Sequence, residues 1–212
     1  MQKTGDIAQL LAAVKARANG QGRVIVALAG PPGSGKSTLA ERVVAGLNAE
    51  APDTAAILPM DGFHYDDLYL VPAGLLPRKG APQTFDVGGL FHTLARLKAR
   101  DEAEVAVPVF DRTIEIARAG ARLIPVHVPV IVVEGNWLLL DRAPWTRLRP
   151  MFDLTAMVEV PEPVLRQRLA ARWQGFDLPE AEVTARLEAN DLPNGRLVRD
   201  ASVPADFHIF NG

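Results

Sequence analysis

Cysteine is absent from this chain of 212 residues, which excludes disulfides, thiolate nucleophiles and zinc or iron–sulfur sites built on cysteine. An excess of charge of one sign is also absent, because 23 lysine and arginine residues nearly balance 25 aspartate and glutamate residues, for a net charge of −2. No overall basic field would therefore draw the chain to nucleic acid or to an anionic membrane surface. Any phosphate group must be bound at a local site.

Long apolar runs are missing as well. The longest ones, 24–29 and 128–133, are far shorter than the roughly 20 apolar residues that span a bilayer. Residues 1–11 lack the basic start and the long apolar stretch of a secretory signal. We therefore expect a cytoplasmic protein that does not insert into membranes.

The hydrophobic pattern predicts strands that alternate with helices, in a chain whose length suits one α/β domain or a domain with a small lid. Strands are predicted at 23–29, 55–59, 105–110, 122–124, 129–133, 154–160 and 207–210, and the segments 105–110 and 122–124 are expected to pair. Helices are predicted at 4–17, 37–48, 86–100, 161–173 and 178–190, and a loop rich in proline and glycine at 66–82. This order predicts a three-layer fold, a mostly parallel sheet with helices on both faces.

A glycine-rich motif follows the first predicted strand. Residues 30–37 read G-P-P-G-S-G-K-S and match the phosphate-binding pattern G-x-x-x-x-G-K-[ST] completely, between a buried strand and a helix. Glycines let the backbone point successive N–H groups at phosphate oxygens, Lys36 can reach the β- and γ-phosphates, and Ser37 can bind Mg²⁺. We therefore predict that ATP and Mg²⁺ are bound here. The predicted nucleotide-binding residues are Gly30, Pro31, Pro32, Gly33, Ser34, Gly35, Lys36, Ser37 and Thr38.

The motif alone leaves the class of P-loop protein open. A guanine-nucleotide switch would carry an Asn-Lys-x-Asp run, which this sequence lacks. Residues 86–89 match the D-x-x-G of a switch loop by letters, but they follow a loop and are predicted to begin a helix. A motor-type ATPase would end its acidic strand in Asp or Asp-Glu. Here the strand at 129–133 is followed by Glu134 and a glycine.

Two carboxylates follow predicted buried strands, Asp61 after 55–59 and Glu134 after 129–133. In an open α/β sheet the ligand crevice lies at the carboxyl ends of the strands, so both acids should point toward the P-loop. Phosphoryl transfer uses one acid to hold or position Mg²⁺ and another to take the proton of the acceptor hydroxyl. A helix cap or a turn is the alternative for each acid.

Several motifs occur together in an order that resembles one kinase family. They are 30–37, M-D-G-F-H at 60–64, R-K-G-A-P at 78–82 with T-F-D at 84–86, P-V-F-D at 108–111, and E-G at 134–135. Over about 23–194 the chain resembles the group of uridine kinase, phosphoribulokinase and bacterial pantothenate kinase. Within it, the likeness is to the branch labelled fructokinase or fructose-transport-system kinase. The resemblance implies one P-loop kinase domain, 1–212, with a helical lid at about 161–195.

The resemblance also implies roles for individual residues. Asp61 matches the catalytic base, Glu134 the acid near Mg²⁺, and Asp86 an acid that contacts sugar hydroxyls in uridine kinases. Phe110 stands where those kinases have a tyrosine, which makes a uridine or cytidine acceptor less favoured.

Basic residues complete the predicted site. Arg168 and Arg172 lie four apart, on one face of the helix predicted at 161–173, and the family places lid arginines there. We predict them to be catalytic together with Lys36 and Asp61. The predicted acceptor-binding residues are Asp61, His64, Arg78, Lys79 and Asp86, with solvated loop charges and a structural histidine as alternatives for the basic ones.

The leading hypothesis is a kinase of carbohydrate metabolism that moves the γ-phosphoryl group of MgATP to a sugar or a sugar-like polyol. A nucleoside or pantothenate-type acceptor is the first alternative. A regulatory P-loop ATPase or switch is an alternative of another class, and a nucleotide-binding module without chemistry is a third. The sequence leaves the oligomeric state open, a homodimer included.

Overall fold

The computed structural model describes residues 3–20, 22–176 and 178–212, which form an α/β fold. The strands are β1 (Lys3–Thr4), β2 (Val24–Ala29), β3 (Ala55–Pro59), β4 (Glu104–Asp111), β5 (Ile116–Pro125), β6 (Val130–Gly135), β7 (Leu154–Glu159) and β8 (Phe207–Phe210). The helices are α1 (Ile7–Ala18), α2 (Lys36–Asn48), α3 (Asp67–Leu70), α4 (Val87–Ala99), α5 (Glu162–Gln174), α6 (Glu180–Arg186) and α7 (Leu192–Ala201). Among these described segments, no helix combines the length and the apolar character needed to cross a bilayer.

Six of the strands form one parallel sheet in the order β1-β8-β7-β2-β6-β3. Strand β2 lies in its interior, and all six of its residues are buried. Because the strands are parallel, the loops that follow β2, β3, β6, β7 and β8 meet at one edge of the sheet. Strands β4 and β5 form a separate antiparallel hairpin. The predicted α/β class and the pairing of 105–110 with 122–124 are confirmed.

Helices cover both faces of the sheet. Residues Val24, Val26 and Leu28 of β2 pack with α1 and α2, whereas Ile25 and Ala27 face the opposite side and pack with α4 and α7. A strand buried on both faces reads as a continuous apolar run, which is why β2 could be recognised in the sequence. Leu90, Leu94 and Leu97 of α4 lie at the spacing of one helix face and are fully buried as well.

Helices α5, α6 and α7 share a small apolar cluster of their own. Its buried members are Leu165, Leu169, Val183, Leu187 and Leu192. A π-helical turn, Leu187–Asp191, joins α6 to α7. The single domain 1–212 with a lid at about 161–195 stays a prediction.

Several predicted elements have other bounds. Thr4 lies in β1 and not in the first helix, because the Asp6 side chain accepts a hydrogen bond from the Gln9 N–H at 2.8 Å and caps a helix that begins at Ile7. The segment 66–82 is not an unstructured loop, since it contains α3 and a 3₁₀ turn at Leu76–Arg78. These single turns are too short to produce a helical repeat of apolar residues.

Two further elements were not predicted to their full extent. Helix α7 was not predicted, because proline is more typical of a turn than of a helix. Pro193 lies just inside the start of α7, where the missing N–H costs no intrahelical bond. Strand β5 was predicted only at 122–124, since residues 116–121 have little apolar alternation. They are ordered by pairing with β4. A 3₁₀ segment at Trp145–Met151 was also not predicted.

Candidate active site

The P-loop joins the central strand β2 to helix α2. Gly33 and Gly35 have φ values of 77° and 80°, a region that residues with a side chain rarely adopt. This backbone turns the loop around the N-terminus of α2, where the helix dipole favours an anion. Lys36 is the first residue of α2 and is 9% exposed. Burial lowers the pKa of Lys36, and the attraction of Glu134 and Asp61 opposes this effect.

Ser37 and Glu134 offer two oxygen atoms beside the loop. The hydroxyl of Ser37 donates to Oε2 of Glu134 at 3.1 Å, and Glu134, near the end of β6, is 5% exposed. Burial raises the pKa of the Glu134 carboxyl, and Lys36 opposes this rise.

A hydroxyl and a carboxylate oxygen are the hard donors that Mg²⁺ prefers, so this pair fits the ion. Within the described residues, no cluster of three or more His, Asp or Glu side chains could hold a metal. The protein would therefore supply few ligands here, as is usual where phosphates and water complete the coordination of Mg²⁺.

Asp61 lies in the 3₁₀ turn that follows β3, and its side chain is 16% exposed. Burial by itself would raise the pKa of Asp61, but His64, Lys36 and Arg112 together hold it below the usual value. Nη2 of Arg112 donates to Oδ2 of Asp61 at 2.8 Å. Asp61 is therefore an ionised carboxylate in reach of the P-loop lysine.

Arg112 is a site residue that the sequence analysis missed. It follows β4 directly, in the turn to β5, and its guanidinium lies 5.8 Å from the centre of the Phe110 ring. Its position next to the P-V-F-D motif at 108–111 is the signal that could have identified it. Tertiary structure was needed to see that this hairpin reaches the end of β3.

His64 contacts Asp61 through the backbone and not through the carboxylate. Its Nδ1 lies 2.7 Å from the Asp61 carbonyl oxygen, and its ring packs between Phe85 and Phe110, tilted by 41° and 40° to their planes, at centroid distances of 4.0 and 4.7 Å. A carbonyl only accepts, so Nδ1 carries the proton of this bond. Burial lowers the pKa of His64, which favours the neutral ring. Its Nε2 is then an acceptor for a hydroxyl group.

Arg78 and Lys79 are held by contacts within the protein. Arg78 donates to the Ala189 carbonyl and, at 3.4 Å, to Oδ1 of Asn194. Lys79 pairs with Asp67 at 2.5 Å and donates to the Glu115 carbonyl. The two cations predicted to bind substrate therefore form contacts within the protein. Arg78 links segment 66–82 to residues 189–194, and Lys79 links it to the turn between β4 and β5.

Asp86 lies at the surface as the N-cap of α4. Its Oδ1 accepts from the Gly89 N–H at 2.7 Å. Asp86 therefore caps the helix that was predicted at 86–100, and its Oδ2 has no partner among residues 3–20, 22–176 and 178–212.

The two predicted lid arginines have different environments. Burial and the positive charge of Arg112 both lower the pKa of Arg172. Asp61 is among the acids whose attraction opposes this shift, so Arg172 lies within electrostatic range of the site. Arg168 is partly exposed and forms no hydrogen bond or ion pair with any residue that the structure describes. Arg166 pairs with Glu188 at 2.5 Å, away from the P-loop.

Three cavities of the described residues lie near the P-loop, and their volumes do not show which of them is the active site. The largest, about 460 Å³, is mostly apolar and lies between Pro31–Pro32 and helices α5 and α7, away from the two acids. A second of about 240 Å³ is lined by Gly35, Thr38 and Asn211. The smallest, about 200 Å³, contains Ser37, Asp61, Arg112, Arg122 and Glu134. This last one, which we name the acidic cavity, has the chemistry of phosphoryl transfer.

Known proteins resemble the chain over most of its length. Its sequence is 42% identical to that of a protein described as a putative fructose transport system kinase from Silicibacter sp. TM1040. The crystal structure of that protein superposes with a TM-score of 0.89 and covers 96% of this chain and 98% of the other. It is 34% identical over 194 residues to a putative uridine kinase of Schizosaccharomyces pombe, which covers 88% of this chain and 82% of that protein. It is also 38% identical over 178 residues to the uncharacterized protein YggC of Escherichia coli K12, which covers 83% of this chain and 73% of the relative. No family model matches the chain.

Proposed function

Because the chain belongs to the P-loop kinases of the group that contains uridine kinase and bacterial pantothenate kinase, we propose that it transfers the γ-phosphoryl group of ATP to a hydroxyl of a small sugar or sugar-like polyol. ATP-dependent kinase activity follows from the family. The acceptor, the use of Mg²⁺ and a role in carbohydrate metabolism are our proposals, as is a cytoplasmic location.

One observation carries the proposal of a hydroxyl acceptor. The mostly buried carboxylate of Asp61 faces a cavity of about 200 Å³ beside Ser37 and Glu134, and only its Oδ2 is paired. Oδ1 can accept a hydroxyl proton, so the cavity has both a base and room for the group that it would deprotonate. A regulatory ATPase needs room only for a water molecule beside its base, whereas a cavity of about 200 Å³ has room for a small acceptor, which favours the kinase over the switch.

Each residue has a role in this proposal. Asp61 takes the proton of the acceptor hydroxyl, and Lys36 stabilises negative charge on the transferring phosphoryl group. Ser37 and Glu134 would hold Mg²⁺, which when bound neutralises charge on the phosphates. Arg172 approaches the phosphoryl group from the lid, with Arg168 as a candidate on the same helix face.

The polyol acceptor is supported by the polar groups around Asp61. The neutral His64 ring offers Nε2 as a hydroxyl acceptor, and the free Oδ2 of Asp86 is a second candidate on the loop side. The ring of Phe110 packs against His64. Phe110 lacks the hydroxyl of the tyrosine found in uridine kinases, and this difference disfavours a nucleoside acceptor. The 42%-identical protein is described as a putative fructose transport system kinase, which supports this acceptor class.

ATP turnover with a panel of acceptors tests the function. Fructose, other hexoses, alditols, nucleosides and pantothenate are each added to enzyme and MgATP, and ADP release and product mass are measured. We expect a many-fold rise in ADP release with a sugar or polyol, together with a phosphorylated product. A rise only with nucleosides or pantothenate would favour the alternative acceptors. ATP hydrolysis that no acceptor changes would favour the regulatory ATPase.

A further inference from the structure

Two arginines of the β4–β5 hairpin face the acids of the site. Arg112 and Arg122 line the acidic cavity together with Asp61 and Glu134, and they are the two cations among the described residues that border it. Neither arginine has a part in the chemistry proposed above. Their presence beside a small-molecule cavity requires an explanation.

Arg112 is the more exposed partner of the pair with Asp61. Its side chain is 50% exposed, against 16% for Asp61, so part of the Arg112 side chain is open to a ligand. The bond to Asp61 is its one hydrogen bond among the residues that the structure describes, and it uses Nη2. A guanidinium has further N–H donors in a planar fork, so Arg112 keeps unused donors that match a carboxylate or a phosphate.

The acceptor must lie beside this guanidinium. A hydroxyl that Asp61 deprotonates has to come within about 2.6–3.2 Å of its carboxylate. Since Arg112 already contacts Oδ2, the hydroxyl reaches Oδ1, and the carbon atoms that bear it then lie next to Arg112. An anionic group close to that hydroxyl would be repelled by Asp61, by Glu134 and by Glu41, which also lines the cavity, unless a cation lay beside it, and Arg112 is a cation at that position.

Arg122 supports the same assignment, and the other nearby cations do not compete. Nη1 of Arg122 donates to the Ile57 carbonyl at 2.6 Å, which anchors its guanidinium at the wall of the cavity. Arg78 and Lys79, which the sequence analysis proposed as anion-binding residues, form the internal contacts described above. Arg112 and Arg122 line the cavity itself, whereas Arg78 and Lys79 do not, although Nζ of Lys79 lies 5.7 Å from the centre of the Phe110 ring.

We infer that Arg112, aided by Arg122, selects an acceptor that carries a carboxylate or a phosphate close to the hydroxyl that becomes phosphorylated. The inference rests on the proposed function and deepens it, because it narrows the polyol to an anionic one. Arg112 is then a specificity-determining residue that keeps Nη2 on Oδ2 of Asp61 and offers its other N–H groups to the acceptor's anion.

Matched probes separate the anion from the polyol. Binding of sorbitol, gluconate and sorbitol 6-phosphate, and of erythritol, erythronate and erythritol 4-phosphate, is measured by calorimetry on enzyme loaded with Mg²⁺ and a non-hydrolysable ATP analogue. Turnover of the same compounds is measured with MgATP. The two anionic members of each set distinguish a carboxylate from a phosphate.

We expect at least one anionic probe to bind 10-fold or more tightly than its neutral alditol. The variant Arg112→Met should weaken that anion by about 10- to 100-fold, the size expected for a lost hydrogen bond to a charged group, and should change alditol binding less than 3-fold. Arg112→Lys should restore part of the preference, since it keeps the charge and loses the fork. The control is Arg118→Met, because Arg118 lies on the same hairpin and pairs with Asp111.

Three results would overturn the inference. They are equal binding of anions and alditols by the wild type, no binding of any anionic probe, and an equal loss for both kinds of probe in Arg112→Met. The last would mean that Arg112 acts only by positioning Asp61. Anion binding that depends on Arg112 but gives no phosphorylated product would support the inference and contradict the proposed function. Phosphorylation of alditols without a preference for anions would support the proposed function and contradict the inference.

Discussion

Nη2 of Arg112 lies 2.8 Å from Oδ2 of Asp61, so the proposed base at the end of β3 is paired with an arginine from outside the central sheet. The pair joins two parts of the chain 51 residues apart, one after strand β3 of the central sheet and one in the hairpin β4–β5. It leaves Oδ1 of Asp61 without a hydrogen-bond partner among the described residues, and Arg112 joins His64 and Lys36 in lowering the pKa of the carboxyl. The acid–base chemistry of the site therefore depends on the hairpin as well as on the sheet.

The first prediction concerns the pH dependence of Arg112→Met. Burial raises the pKa of Asp61, and Arg112 is one of the groups that hold it below its usual value. A lowered pKa keeps the base ionised as the pH falls, so removal of Arg112 should move the acidic limb of kcat/KM to higher pH. The loss in rate should be larger at pH 5 than at pH 8. With a neutral acceptor, the pH profile of kcat/KM reports the pKa values of groups in the free enzyme, where Arg112 is paired with Asp61.

Arg118→Met is the control for this profile as well. It removes a cation from the same hairpin that does not contact Asp61. An acidic limb that stays in place in Arg112→Met, or that moves equally in both variants, would contradict the role given to the pair.

Sequence patterns predicted the sheet and the P-loop because both rest on local signals. Strand β2 is buried on both faces and reads as an apolar run, and the loop after it has a fixed spacing of glycine, lysine and serine. Asp61 and Glu134 could be placed for the same reason, since they follow parallel strands whose carboxyl ends meet. Their roles, like those of the other site residues, stay predictions.

What the sequence could not provide were contacts between distant segments. Arg112 follows a half-buried hairpin strand, and only the packing of β4 against the turn after β3 brings it to Asp61. The partners of Arg78 lie more than 100 residues along the chain, at Ala189 and Asn194. A basic residue in a loop gives no local sign of whether it binds a ligand or another part of the protein.

The second prediction is that Lys36→Ala abolishes phosphoryl transfer while the fold is kept. Lys36 begins α2 beside Glu134 and Asp61, and its charge stabilises the transferring group, a contribution of several kcal/mol in comparable sites. Turnover and far-UV circular dichroism are measured together, with Lys15→Ala as the control, because Lys15 pairs with Glu50 on the surface. A rate above about a tenth of the wild-type value would argue against the assignment, since a loss of several kcal/mol is far more than tenfold.

The third prediction separates a base from a metal ligand. Asp61→Asn should lower kcat by about 10²–10⁴-fold, the range for a lost general base, and leave the affinity for MgATP nearly unchanged. Asp101→Asn, at an exposed position, is the matched control. If the affinity for MgATP falls with the rate, Asp61 holds the metal, and Glu134 becomes the candidate for the base.

The last prediction concerns Asp86, for which the structure supplies a capping role and the proposed function adds an acceptor contact. The cap is described, since Oδ1 accepts from the Gly89 N–H at 2.7 Å, whereas the contact of Oδ2 with an acceptor hydroxyl is proposed. Loss of an N-cap costs about 0.5–2 kcal/mol, so Asp86→Ala should lower the free energy of unfolding by about 1 kcal/mol.

Asp86→Ser separates the two roles, because serine caps a helix about as well as aspartate but has no carboxylate. We expect it to restore the free energy of unfolding measured with urea, but not kcat/KM for the acceptor, while the ATPase rate without acceptor stays close to that of the wild type. A site that bonds a hydroxyl typically loses much of its discrimination when that partner is removed. Recovery of both stability and kcat/KM in Asp86→Ser would mean that Asp86 only caps α4. The acceptor contacts would then have to come from His64 and the hairpin.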